Sequence, residues 1–200
     1  TDAAWNSISD KINTKEFDNP VLVRNSLSWE RQEWLKRGEN WQNVTMPSMG
    51  HCVVENQNET GDTFSGKVTE SSIENDILKV TFDSNGFISS IFDKEKNREV
   101  LEEGQLGNDL TVYEDDGDAW DFPIDYKKHI AGQFELKESE CSTDGPKVIM
   151  RQKRAFGKSV LNQDIILIDG SRRLDFGTYV NWKEDNKMLR TAFPVDIHTT

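Results

Sequence analysis

The sequence predicts an all-β protein, an antiparallel β-sandwich of long strands joined in meanders. Three observations predict it. Leu174, Phe176, Thr178, Val180 and Trp182 recur at every second position, with Arg173, Asp175, Tyr179 and Asn181 facing the other way, the period of a strand with one buried face. Leu78, Val80 and Phe82 alternate in the same manner and reach Asp83-Ser84-Asn85-Gly86 before an apolar run returns from Phe87 to Phe92. Asn and Gly tolerate positive φ, so this reads as a hairpin turn. Finally, no segment holds a helical period for more than about three turns.

The elements follow in order. Residues 1–19 are polar, with Ile8 and Ile12 four apart behind Asp2, and are expected to form a linker, a short helix, or the end of a preceding helical region. Residues 20–200 are expected to form one sandwich domain, incomplete at its C-terminal end. Val21-Leu22-Val23 opens a strand that ends within 25–28. Trp29, Trp34 and Trp41, separated by charges, suggest a half-buried hairpin or sheet edge. Met46-Pro47-Ser48-Met49-Gly50 turns the chain, Cys52-Val53-Val54-Glu55 makes the next strand, and 56–66 is a polar loop. After the hairpin come a strand over 160–168, a turn at Asp169-Gly170-Ser171, and the alternating strand through Trp182.

Two hundred residues suit one domain, or one domain and part of another, and a chain of that size buries about 70% of its unfolded surface without staples. Six tryptophans and ten phenylalanines argue against disorder. The net charge of −12 repels phosphate backbones and anionic lipid, so nucleic acid and membranes are not expected as partners, whereas a neutral sugar is compatible. Cys52 and Cys141 match no metal-ligand spacing and read as two reduced thiols. With no apolar run long enough to span a bilayer and no signal peptide, a cytoplasmic compartment is expected.

A self-contained active site is hard to find. Of the three histidines, His51, His129 and His198, none forms a His-x-Asp or i, i+4 histidine pair for a metal. His51 and Cys52 are adjacent on a strand, so their side chains point to opposite faces and do not pair. No serine elbow, P-loop or dinucleotide fingerprint occurs. One cluster stands apart: Tyr113-Glu114-Asp115-Asp116-Gly117-Asp118-Ala119-Trp120-Asp121. Aromatic faces against the C–H side of a sugar, with carboxylates bonding its hydroxyls, would hold carbohydrate. The same acids around a glycine could ligate Ca²⁺, and the plain alternative is an acidic surface loop with its tryptophan in the core. Tyr113, Asp115, Asp116, Trp120 and Asp121 are the candidate substrate-proximal residues.

Several segments taken together resemble family 38 α-mannosidases. They are Arg24-Asn25-Ser26-Leu27-Ser28-Trp29-Glu30-Arg31, the Met46–Gly50 turn, the stretch from Glu74 through Phe82 with Gly86 and Ile88 to Asp93, and Leu106-Gly107-Asn108-Asp109-Leu110 leading into the 113–121 loop. Gly170 to Phe176, Asn181-Trp182 and Ala192-Phe193-Pro194-Val195-Asp196 complete the series. The resemblance implies a mutarotase-like supersandwich and a parent enzyme that hydrolyses terminal α-mannosyl linkages with retention, using two carboxyl groups and a zinc ion held by His and Asp. It places nucleophile and zinc ligands in a preceding domain, so no catalytic residue and no metal ligand is assigned here. This chain alone is expected to bind no zinc and to show little or no mannosidase activity. Unpaired sheet edges would allow self-association as a homo-oligomer. The competing readings are a non-catalytic carbohydrate-binding sandwich with Trp120 as platform and, last, a mutarotase-like epimerase, which needs a buried histidine with a carboxylate partner.

Overall fold

The computed structural model describes residues 2–55, 63–117 and 120–197. Asp118, Ala119, His198 and residues 56–62 of the expected polar loop therefore lie outside the described residues. The chain divides into two compact units, Thr1–Thr63 and Phe64–Thr200.

The first unit opens with a short helix, α1 (Asp2–Ser9), followed by β1 (Val21–Arg24), β2 (Arg31–Arg37), β3 (Asn40–Met46) and β4 (His51–Val54). β1 pairs antiparallel with β4, and β2 with β3. The tryptophan-rich stretch is the β2–β3 hairpin: Trp41 is buried, Trp34 half-buried, and Trp29 exposed ahead of it. Val44, Met46 and Val54 make a small core with Val23, Leu35 and Cys52 against it. His51 is exposed while Cys52 turns inward, as adjacent strand positions must. Asn25 is the polar strut of this unit. Its Nδ2 donates to the carbonyls of Trp29 (2.7 Å) and Pro47 (3.1 Å), and its Oδ1 accepts from the Leu27 N–H at 3.0 Å.

The second unit contains β5 (Lys67–Thr69), β6 (Ser72–Glu74), β7 (Leu78–Phe82), β8 (Ile88–Asp93), β9 (Arg98–Glu99), β10 (Asp109–Glu114), β11 (Ile130–Gln133), β12 (Glu135–Asp144), β13 (Lys147–Phe156), β14 (Ser159–Ile168), β15 (Leu174–Asn181) and β16 (Lys187–Ala192). They form sheets ordered β5-β6-β7-β8-β9, β12-β13-β14-β15 and β11-β10-β16, and every pairing is antiparallel. The protein is an all-β sandwich.

The alternation that predicts β15 decides its packing. Leu174 and Phe176 lie on the main core, Val180 and Trp182 on a second cluster, and Tyr179 stands 68% exposed on the opposite face. The main core interleaves Ile73, Val80 and Ile88 of the five-stranded sheet with Val148, Met150, Ile165 and Leu167 of the four-stranded sheet. Fully burying such a side chain contributes about 1.5–3 kcal/mol each. The second cluster joins Leu110 and Val112 of β10 to Phe87, Phe134 and Leu161.

Buried amides tie these layers together. Asn75, 1% exposed, donates to the carbonyls of Ile168 (2.8 Å) and Ser171 (2.9 Å) and accepts from the Ile77 and Leu78 N–H groups. Asn108, in the left-handed region at φ 57°, donates to Gln163 Oε1 at 2.7 Å, and Gln163 Nε2 donates to Thr178 Oγ1 at 2.9 Å. Thr191 on β16 donates to Asn108 Oδ1 at 3.4 Å. A buried polar group without a partner is costly, so these bonds specify how the layers meet.

Candidate functional site

The 113–121 loop leaves the sandwich at the end of β10. β10 and β16 fix its entrance, with Tyr113 opposite Met188 and Glu114 opposite Lys187. Lys187 Nζ donates to Glu114 Oε2 at 2.6 Å, and that bond holds the lysine above its ordinary pKa. The Asp115 N–H donates to the Asn186 carbonyl at 2.9 Å, closing the entrance.

Beyond it the loop folds back on itself at Gly117. A Cβ there would lie 2.4 Å from the Asp121 carbonyl oxygen and 3.1 Å from Asp115 Oδ1, so only glycine fits. Asp115 Oδ1 accepts from the Gly117 N–H at 3.3 Å, and Asp121 Oδ1 from the Phe122 N–H at 2.8 Å. The chain then reaches a 3₁₀ turn, Tyr126–Lys128.

The predicted residues spread over this frame. Tyr113 and Asp115 are half-buried, Asp116 and Asp121 are exposed, and Trp120 is 92% exposed rather than tucked into the core. Tyr113 meets Tyr126 edge to face, with ring centroids 5.2 Å apart, and Tyr126 meets Phe122 in the same manner at 5.1 Å. The Arg190 guanidinium of β16 lies 4.8 Å from the Tyr126 centroid and 5.6 Å from that of Phe122. Phe122, Tyr126 and Arg190 escape a reading of the sequence. The two rings sit four apart around Pro123, outside the acidic run, and nothing local marks Arg190 as their neighbour.

The result is an aromatic ledge with an arginine donor on it, and the carboxylates of Asp115 and Asp121 are close to it in the chain. Rings of this kind present faces to C–H groups, while the carboxylates accept and the guanidinium donates hydrogen bonds to hydroxyls. Among the described residues no three His, Cys, Asp or Glu side chains converge to ligate an ion; Asp118 of the acidic run lies outside them. His129 does have a carboxylate partner, Asp125 Oδ2 at 3.4 Å, but both side chains are about half exposed. Cys52 and Cys141 are free thiols, each pushed up in pKa by burial. Among the described residues no helix is long and apolar enough to cross a membrane.

Comparison with known proteins decides the family. The model of the glycosyl hydrolases family 38 C-terminal domain matches residues 73–200. The chain belongs to glycosyl hydrolase family 38. Alpha-mannosidase G of Dictyostelium discoideum is 31% identical over 165 residues, which cover 76% of this chain and 14% of that protein. The alpha-mannosidases 2C1 of Mus musculus and Homo sapiens are each 27% identical, over 200 and 201 residues, covering 90% of this chain and 19% of theirs. This family 38 chain thus spans less than a fifth of the length of the curated relatives it matches, and its matched region contains the whole ledge.

Proposed function

We propose that this chain is the β-sandwich part of a retaining α-mannosidase that hydrolyses terminal α-mannosyl linkages, with the 113–121 loop at the rim of the substrate cleft. The observation that supports the rim assignment is the Tyr113–Tyr126–Phe122 ledge with Arg190 against it, beside Asp115, Asp116, Trp120 and Asp121. A mannoside could lay a C–H face on this ledge and exchange hydrogen bonds with the acids and the guanidinium.

Retention requires a nucleophilic and an acidic carboxyl about 5 Å apart, and zinc requires a converging set of His and Asp ligands. The described residues hold no converging ligand set for zinc; on this reading zinc and the carboxyl pair belong to other parts of a longer enzyme, and the chain acts as scaffold and rim. Two free thiols suit a cytoplasmic enzyme. The test is turnover of an aryl α-mannoside by the purified 200-residue chain, for which little or none is expected. Activity abolished by a chelator and restored by zinc would overturn the assignment.

A second reading, a carbohydrate-binding sandwich without catalysis, is favoured by the exposure of Trp120. Calorimetric titration with mannose and mannobiose separates the two. Binding lost in Trp120→Ala supports the second, and absence of binding supports the scaffold.

A further inference from the structure

The solvent face of the four-stranded sheet holds a second place where a sugar fits. Antiparallel register sets its side chains in rows. Glu138, Lys153, Asn162 and Tyr179 form one row across β12, β13, β14 and β15, and Glu140, Arg151, Asp164 and Gly177 form the next. Directly opposed residues share a face, so these eight look outward together.

The charges on this face are held flat by one another. Arg151 Nη1 donates to Glu140 Oε1 (3.3 Å) and Ser142 Oγ (3.2 Å), and its Nε lies 3.5 Å from Asp164 Oδ1. Lys153 Nζ donates to Glu138 Oε1 at 2.7 Å. Over these rows lies a depression of about 410 Å³, bordered by Glu138, Arg151, Lys153, Asn162 and Asp164, a volume within the usual range of small-ligand sites. Tyr179 stands at its β15 side, 68% exposed. Gly177, in the adjoining row, carries no side chain, and a Cβ there would make only ordinary contact with Asp164, at 3.8 Å.

We propose that this face is a binding platform for a neutral oligosaccharide, separate from the 113–121 loop. Two cations, Lys153 and Arg151, pair with three carboxylates, Glu138, Glu140 and Asp164, so donors and acceptors stand side by side with one negative charge in excess, which suits hydroxyl groups that both donate and accept and disfavours an anion. The exposed Tyr179 ring, with no side chain at Gly177 in the next row, gives the apolar face of a sugar ring a surface on which to lie. Nothing in this inference depends on the rim reading.

The experiment is calorimetry and amide chemical-shift mapping of the 200-residue chain with α-linked mannotriose and, separately, cellotriose. Binding of either probe with shifts confined to 151–153, 162–164 and 177–179, weakened about tenfold or more by Tyr179→Ala, is the expected result, given what an aromatic contact contributes. Gly177→Val, a β-branched residue in an unstrained strand position, should fold at least as well and still lose binding, an effect a merely structural role would not produce. Shifts confined to 113–126 and abolished by Trp120→Ala would overturn the platform and place the sugar on the 113–121 loop instead. No binding of either probe at millimolar concentration would also overturn it, and the rim reading would then be judged by KM in a full-length enzyme carrying Trp120→Ala.

Discussion

Arg154 and Gln152 sit two residues apart on the inner face of β13, and the guanidinium donates to Gln152 Oε1 through both Nε (3.0 Å) and Nη2 (2.8 Å). Arg154 is fully buried, with its Nη1 on the Phe134 carbonyl at 3.2 Å and the Phe87 ring 4.4 Å away. Burial draws its pKa down to about 10, and the Asp83 carboxylate pulls the other way. The guanidinium is therefore held chiefly by neutral groups. Gln152→Leu should cost about 3 kcal/mol or more, because it strands a buried cation. Arg154→Met, which removes the charge while filling similar space, should cost less. Urea denaturation of the two variants checks the order, and the reverse order would refute it.

Gly86 closes the β7–β8 hairpin against that same pair. Its φ is +75°, and a Cβ would fall 2.8 Å from Arg154 Nη2 and 2.9 Å from Gln152 Nε2. Gly86→Ala should lose about 1–3 kcal/mol from backbone strain alone, and more if the guanidinium must shift. Thermal unfolding should show a clear drop in midpoint.

Glu99 gives the fold an acid-sensitive joint. Burial alone would raise its carboxyl, but the Ser90 hydroxyl and the Leu101, Ile91 and Val100 N–H groups together outweigh burial and hold it below the usual range. A carboxyl depressed in the folded state contributes stability that is complete above its unfolded pKa, about 4.3 for Glu, and is lost as pH falls through the folded value. Glu99→Gln should therefore be less stable than the parent at neutral pH, with the gap narrowing below about pH 4. A gap that stayed constant down to pH 2.5 would show that the carboxylate charge is not the source.

On the ledge, Trp120→Ala should leave stability within about 0.5 kcal/mol of the parent, since the ring is 92% exposed. Arg190→Ala removes contacts with two rings and should cost about 1 kcal/mol, with a changed near-ultraviolet tyrosine signal. If Trp120→Ala destabilised the chain more than Arg190→Ala, the loop would be structural rather than a rim.

Much of this was readable from local pattern. The Asn85-Gly86 turn and the alternation through 174–182 survive intact because their determinants lie within a few residues. Three asparagines within the family-like segments, Asn25, Asn75 and Asn108, prove to be buried struts joining stretches far apart in the chain. The segments are visible in sequence, but their pairing is not. Arg154 was the harder case, because Arg151-Gln152-Lys153-Arg154 reads as surface. The available signal is phase, since Arg154 continues the inward series Val148, Met150, Gln152. Arg190 is seventy-seven residues after Tyr113, and only the β10–β16 pairing brings it to the ledge.

The amide bridge from Asn108 to Gln163, Thr178 and Thr191 also has a kinetic meaning. Its partners lie 55 and 83 residues from Asn108, and contacts so distant form slowly because loop closure must precede them. The hairpins β13–β14 and β14–β15 need only short loops, so they can assemble before β16 is captured. A one-residue slip of β16 would turn Thr191 away from Asn108 and present Arg190 or Ala192 instead. The last strand to dock is thus proofread by a hydroxyl, and pulsed hydrogen exchange should find β16 amides protected after those of β14.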